Sequence, residues 1–171
     1  RVGCAAAIET LKRFDEDYEL AVVFSTQEEV GLKGAKTSAF KIDPDVALAV
    51  DVSIAGDLPG VESHESSLEM GEGVEITMVQ SEGRGLVTPR SVKEWLRETA
   101  EEKDHDYQPA VWEGGATDAA KIYLAKEGIP TGSIGVPLRN MHSATEVLKI
   151  SDLEDTVDYL EDVSKTMEDY F

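Results

Sequence analysis

Apolar residues recur along the chain in two patterns, one with the spacing of an amphipathic helix and one in short continuous runs. Helical spacing with capping residues predicts helices, and these cover residues 2–14, 32–40, 88–102, 116–127 and 151–170. Apolar runs predict strands at residues 20–25, 46–52, 74–79 and 134–136. Helices that alternate with strands are typical of an α/β fold built on a layered sheet.

The pattern within each strand predicts how that strand is buried. Residues 20–25 and 46–52 are almost uninterrupted apolar runs, so we expect both strands to be covered on both faces. Residues 74–79 alternate, which predicts one face in solvent. The polar residues 55–73, with glycine and proline, predict a long surface loop. Without an internal repeat or a low-complexity linker, residues 1–171 are predicted to form one domain.

The charge of the chain restricts its partners. The apolar fraction of 41% is ordinary for a globular protein, but the net charge is −19. Such an excess of carboxylates opposes binding to nucleic acid or to an anionic membrane surface. It also predicts adaptation to high salt, where screening makes a densely acidic surface tolerable. The alternative is an ordinary solubilising surface.

The single cysteine and the first residue indicate where the protein is found and how it begins. Cys4 excludes an internal disulfide framework and is typical of a reducing compartment, so we expect a cytoplasmic location. No stretch approaches the length of a membrane span. The chain begins at Arg1 rather than at a methionine, which predicts that it is incomplete at its N-terminal end.

Two adjacent glutamates, Glu28 and Glu29, follow the apolar run at residues 20–25. The carboxyl edge of an α/β sheet is where such folds place their sites. Two like charges beside a buried strand are costly unless a positive group compensates them. A metal ion would do so, with one carboxylate as its ligand and the other as a proton shuttle. The alternative is a pair of solvated glutamates in a turn.

Asp51 lies at the end of the predicted strand 46–52, and His142 lies just past the predicted strand 134–136. With Glu29 they form a set of oxygen and nitrogen donors that suits Zn²⁺, Co²⁺ or Mn²⁺. Alternatively, Asp51 is an ordinary turn or cap residue and His142 an exposed one. His64 and His105 lie in polar segments, where we expect them to be solvated.

Residues 114–118 form a glycine-rich start to the predicted helix at 116–127. Thr117 or Asp118 could cap this helix, or the segment with Gly115 could line a substrate pocket. No nucleophile motif of the serine or cysteine hydrolases occurs in the chain. Metal-assisted hydrolysis is therefore the chemistry that the residues favour.

Four segments, in order, resemble the motifs of the TET-type aminopeptidases: residues 27–35, 43–51, 114–119 and 139–143. This dinuclear metallo-aminopeptidase family also holds glutamyl and lysyl aminopeptidases. The resemblance implies a zinc-peptidase-like catalytic domain with three layers, in which helices flank a mixed, mostly parallel sheet. It further implies peptide substrates and a large homo-oligomer.

The resemblance also assigns roles to single residues. Glu28 resembles the general base and Glu29 a ligand of one metal ion, whose site His142 completes. Asp51 resembles a ligand of the other ion, and Asp118 resembles a pocket aspartate, beside Thr117 and Gly115. The cofactors implied are two divalent ions, zinc or cobalt, with manganese as an alternative.

The chain also departs from the family pattern. The family has a bridging aspartate directly before the arginine that matches Arg1, a histidine ligand further upstream, and an inserted β-rich domain. None of these is present in the 171 residues. The chain thus resembles the C-terminal part of the catalytic domain. The alternatives to a working aminopeptidase are a catalytically incomplete binding or assembly fragment and a related metallohydrolase, either a deacylase or a glycosidase.

Overall fold

The computed structural model describes residues 1–62, 64–81 and 85–171. The helices in this part of the chain are α1 (Val2–Arg13), α2 (Lys33–Ile42), α3 (Arg90–Glu102), α4 (Ala119–Ile122), α5 (Ile150–Thr166) and a short 3-10 helix (Met167–Asp169). The strands are β1 (Ala47–Ile54), β2 (Val74–Gln80), β3 (Leu86–Val87), β4 (Tyr107–Trp112) and β5 (Thr131–Leu138). Helices and strands alternate along most of the chain, which confirms the α/β fold.

The strands form one mixed sheet. β1 pairs with β5 in parallel over eight residue pairs, and β2 pairs with β4 in parallel over six. The antiparallel pairings, β2 with β3 and β2 with β5, comprise two residue pairs each. Most of the pairing is therefore parallel, as expected.

Helices cover both faces of this sheet and complete three layers. The main core lies on the face covered by α1, α3 and α5, and its fully buried side chains include Ile76, Leu96 and Ile134. α2 and α4 cover the opposite face with small clusters around Ala39 and Ala119. Because residues alternate along a strand, Asp51 and Ala49 lie on this second face.

The predicted strand at residues 20–25 is wrong. This segment has no regular secondary structure and pairs with no strand among the described residues, and Val23 and Phe24 are 44% and 53% exposed. A short apolar run has the same pattern whether it is sandwiched between layers or lines an open cleft, and this one lines a cleft. Among the described residues β1 pairs only with β5, so it is an edge strand and mostly half-buried.

Strand β4 was not predicted from the sequence, because Pro109 interrupts its alternation. Proline is tolerated there because β4 lies at an edge of the sheet. The helix predicted at residues 116–127 is reduced to the four residues of α4. The chain after α4 continues as turns that contain the left-handed residues Lys126 and Gly128, with φ of 53° and 103°.

The alternation of β2 is real, but its polar face is not in solvent. Glu75 is 2% exposed and Thr77 is fully buried. Both residues lie on the second face of the sheet and form hydrogen bonds there. Ser53 and Trp112 donate hydrogen bonds to the carboxylate of Glu75. Alternating polar residues predict a face exposed to solvent only where no other polar group of the protein is placed to form hydrogen bonds with them.

Candidate functional site

The two adjacent glutamates lie in a turn rather than at the end of a strand. The carbonyl oxygen of Glu28 accepts hydrogen bonds from the backbone N–H groups of Gly31, at 3.1 Å, and Leu32, at 2.9 Å. Gln27 and Leu32 have φ values of 58° and 57°, left-handed conformations that reverse the chain within a few residues. The turn leads directly into α2, so the pair is held between residues 20–25 and this helix.

Asp51 and His142 reach the same region from two neighbouring strands. Asp51 lies inside β1, three residues before its end, and its Oδ1 accepts a hydrogen bond from the backbone N–H of Val52 at 2.8 Å. His142 lies in the loop after β5, as predicted. Its φ is 61°, and its backbone N–H donates to Glu146 Oε1 at 2.9 Å.

The electrostatic surroundings of Glu28 show which side chains are neighbours. Burial raises the pKa of Glu28 to about 7, and three negative charges add to the rise: those of Asp51, Asp118 and Glu29. His142 opposes it. The predicted base and the predicted ligands therefore lie within electrostatic reach of one another.

Asp51 and Asp118 carry the same signature. Burial is the main cause that raises the pKa of Asp51, and the charges of Asp118 and Glu29 add to it. Burial also raises the pKa of Asp118. The hydroxyl of Ser25 lowers this pKa, because it donates a hydrogen bond to Asp118 Oδ2 at 2.5 Å. Perturbed carboxyl groups that share a cleft are a feature of functional sites.

Two of the predicted metal ligands, Glu29 and His142, are in direct contact. His142 Nε2 lies 3.4 Å from Glu29 Oε1, and the two side chains are 68% and 72% exposed. This distance joins the turn before α2 to the loop after β5. The resemblance had paired these two residues at one metal ion.

The segment before α4 lines the cleft but does not cap the helix. Asp118 occupies the N-cap position, yet its side chain makes no capping hydrogen bond. Thr117 is held by Gln80, whose Nε2 donates to Thr117 Oγ1 at 3.1 Å, and by Ser133 at 3.1 Å. Gly115 has φ of 108° and open space around its Cα, so a side chain would be strained there by conformation rather than by contacts.

The seven predicted site residues together line one cleft of about 950 Å³. Five of them are partly buried, and Glu29 and His142 are exposed. Glu28, Glu29, Asp51 and His142 line the cleft, as do Gly115, Thr117 and Asp118. The cleft runs along β1 and is bordered by the unpaired residues 18–25.

The donor set is suited to a divalent cation. Asp118 Oδ1 is buried and has no hydrogen-bond partner among the described residues. In the same part of the chain no Lys or Arg forms an ion pair with Glu28, Asp51 or Asp118. Carboxylate and imidazole groups are what zinc, cobalt and manganese bind. No three such groups of the described residues converge closely enough to hold an ion, so the fit is one of donor chemistry and not of preformed geometry.

An ion pair that the sequence did not reveal anchors the loop of His142. Arg139 Nη2 and Nε lie 2.6 Å and 3.0 Å from the two carboxylate oxygens of Asp57, a bidentate arrangement. Arg139 also exchanges backbone hydrogen bonds with Val147, which closes the loop that carries His142. Arg139 belongs to the motif segment 139–143, but its partner Asp57 is 82 residues away in the sequence, and no local pattern indicates such a pair.

The other two histidines lie away from this cleft. His64 is exposed, as expected. The prediction that His105 is solvated is wrong, because its side chain is only 16% exposed and its Nε2 lies 2.9 Å from Asp162 Oδ2. Its ring also packs edge-to-face on Tyr159, so this histidine packs against α5.

Comparison with known proteins identifies the relatives of this chain. The model of the M42 glutamyl aminopeptidase family matches residues 1–159. The glutamyl aminopeptidase of Lactococcus lactis subsp. cremoris is 36% identical over 156 residues, which are 89% of this chain and 41% of that protein. The chain spans about half the length of the curated relatives it matches, 47% and 44% for the first two.

Solved structures of other proteins share the fold, and they include two peptidases. The aminopeptidase APDkam598 from the archaeon Desulfurococcus kamchatkensis is 41% identical, with a TM-score of 0.88 over 94% of this chain and 45% of that one. The TET1 peptidase of Pyrococcus horikoshii is 29% identical, with a TM-score of 0.75 over 95% of this chain and 47% of that one. The latter is described as able to assemble into a tetrahedron or a large octahedral shell.

Proposed function

The chain belongs to the M42 glutamyl aminopeptidase family, and from that premise we propose that it carries the hydrolytic part of a metal-dependent aminopeptidase. The observation that supports this most is the grouping of Glu28 with Asp51, Asp118, Glu29 and His142 around one cleft. The substrates are peptides with a free N-terminus. The carboxylates of the cleft attract the positively charged α-ammonium group of such a peptide.

Glu28 acts as the general base. It accepts a proton from water and then releases that proton to the leaving amine. In the metal-free protein, burial and the charges of Asp51, Asp118 and Glu29 raise its pKa to about 7. Divalent ions at the neighbouring ligands would lower this pKa, so the support for Glu28 as the base is its position among those ligands and not the value of 7.

Glu29 and His142 would hold one divalent ion, and Asp51 would contribute to a second. Such ions supply Lewis-acid chemistry at the scissile carbonyl and lower the pKa of water. Zinc or cobalt suits the mixed oxygen and nitrogen donors, and manganese is the alternative. Asp118, beside Thr117 and Gly115, lines the pocket for the substrate and keeps its Oδ1 as an acceptor.

The proposal extends to the setting of the protein. The family resemblance and the assembly described for the Pyrococcus horikoshii relative support a homo-oligomer. The location proposed is the cytoplasm, and residues 1–171 are proposed to form a single catalytic domain. None of the described helices is long and apolar enough to span a lipid bilayer.

Metal content and hydrolysis, measured on the same preparation, test this function. We expect protein that was incubated with Zn²⁺ or Co²⁺ and desalted to retain metal by mass spectrometry and to hydrolyse aminoacyl anilides, and chelation to abolish the hydrolysis. Nα-acetylated anilides should be inert, because they lack the free amino terminus. Protein that retains no metal and hydrolyses nothing would instead favour the catalytically incomplete fragment, and hydrolysis of N-acyl groups would favour a deacylase.

A further inference from the structure

A buried carboxylate that the proposed chemistry does not use lies beside the cluster of site residues. Glu75 lines the cleft although it is only 2% exposed. Its carboxylate accepts hydrogen bonds from Ser53 Oγ at 2.6 Å, Thr77 Oγ1 at 2.5 Å and Trp112 Nε1 at 3.2 Å. Three donors from β1, β2 and β4 therefore fix this side chain in one position.

The sheet register places Glu75 in the same row as Asp51. Gly135 of β5 lies between them, paired with Asp51 on one side and with Glu75 on the other. A Cβ at Gly135 would lie 1.8 Å from Ser53 Oγ and 2.3 Å from Glu75 Oε2. The Glu75 carboxylate thus occupies the space over Gly135, and the Cα atoms of Asp51 and Glu75 are about 10 Å apart across two strand spacings.

Glu75 lacks a positive partner. No ion pair joins Glu75 to a Lys, Arg or His among the described residues. The cleft is lined by nine carboxylates and, within the part of the chain that the structure describes, by Arg1 as its single Lys or Arg. A carboxylate offers about four acceptor positions, so three donors leave room for one more. Burial raises the pKa of Glu75 and favours its neutral form, whereas its three hydrogen bonds favour the carboxylate. A cationic fourth donor would favour the carboxylate further.

We propose that Glu75 binds the side-chain ammonium or guanidinium group of a basic N-terminal residue and makes the cleft selective for peptides that begin with lysine or arginine. This inference rests on the proposed aminopeptidase function and names its substrate class. Lysine and arginine carry their charge at the end of a long stem, which suits a carboxylate set two strands away from Asp51. A glutamate side chain would instead meet like charges throughout the cleft.

Binding of three amino-acid amides to the purified protein tests the inference without depending on turnover. The probes are L-lysinamide, L-norleucinamide, which lacks the side-chain ammonium, and Nα-acetyl-L-lysinamide, which lacks the α-ammonium. We expect calorimetry to give a Kd for L-lysinamide about tenfold lower than for L-norleucinamide, since one charge-assisted hydrogen bond contributes a factor of this order. Equal affinity of wild-type protein for these two probes would overturn the inference, whatever the variants do.

The variant Glu75→Gln keeps the size of the side chain and its contacts with Ser53 and Trp112, and it should remove most of that tenfold difference. Glu19→Gln is the matched control, because Glu19 also lines the cleft but is exposed. It removes the same charge and should change the difference less than twofold. An equal loss in both variants would mean that overall charge, and not Glu75, is responsible, and would contradict the assignment.

The third probe separates the two possible sources of positive charge. If Glu75→Gln weakens L-lysinamide and L-norleucinamide equally but spares Nα-acetyl-L-lysinamide, Glu75 binds the α-ammonium and the side-chain assignment is wrong. Hydrolysis of aminoacyl anilides without preference for lysine would refute only the substrate class. Selective binding of L-lysinamide without any hydrolysis would refute only the proposed function.

Discussion

Glu28 and Glu29 are adjacent in the chain but lie in different surroundings. Glu28 is partly buried among carboxylates, and its pKa is raised to about 7. The Glu29 side chain is 72% exposed and lies 3.4 Å from the ring of His142. One residue therefore has the surroundings of a proton acceptor and the other has the exposure of a ligand, which is the division of roles proposed above.

The raised pKa of Glu28 has a consequence for stability. A carboxyl group whose pKa is higher in the folded than in the unfolded state binds its proton more tightly when folded. In chelator-treated protein, lowering the pH from 8 towards 5 should therefore raise the free energy of unfolding, and Glu28→Gln should flatten that dependence and stabilise the protein at pH 8. Glu62→Gln, at an exposed position, is the control. Urea unfolding at several pH values would contradict the assignment if Glu28→Gln left the slope between pH 5 and 8 unchanged.

At the scale of elements, the site depends on loops that the sheet brings together. The turn before α2, strand β1, the start of α4 and the loop after β5 each contribute one part of the cluster. The Asp57–Arg139 pair joins the loop after β1 to the loop after β5. Loss of an interaction that orients a metal ligand commonly lowers metal affinity by about 10- to 100-fold.

Asp57→Asn should therefore weaken metal binding without abolishing it. The substitution removes the charge that Arg139 holds in a bidentate pair, so the loop of His142 loses an anchor. We expect the affinity for Zn²⁺ to fall on the order of tenfold in a chelator-competition titration. Glu94→Gln, which breaks the exposed Arg90–Glu94 pair on α3, should leave it unchanged. An affinity equal to wild type in Asp57→Asn would show that this pair does not support the site.

The elements that the sequence predicted correctly are those with strong local signals. The amphipathic spacing of α3 and the apolar runs of β1 and β5 located these elements to within a few residues. The strand prediction for residues 20–25 is wrong because a run of apolar side chains has the same sequence pattern in a buried strand as in the wall of a cleft. The motifs indicated the candidate site residues, whose roles stay predictions. The burial of Glu75 and the pairing of Asp57 with Arg139 depend on contacts between distant segments, which no local pattern indicates.

At the scale of the whole molecule, the charge of −19 is a property of the surface. The acidic residues of α5 illustrate this, since Glu154, Asp155 and Asp158 are exposed. Repulsion among such groups destabilises the compact state, and salt screens it. The melting temperature should therefore rise as NaCl is increased towards molar concentration. A sorbitol series of matched osmolality controls for general solute effects, and a flat or falling curve in NaCl would contradict adaptation to high salt.

The most direct test of the central claim compares Glu28→Gln with wild-type protein at equal metal content. If Glu28 is the base that moves the proton, hydrolysis of an aminoacyl anilide should fall in kcat by at least about a hundredfold, because a positioned base contributes a factor of this order. The metal content should stay unchanged, whereas His142→Ala should lose metal. Turnover of the Glu28→Gln variant within a few-fold of wild type, with metal retained, would contradict the claim.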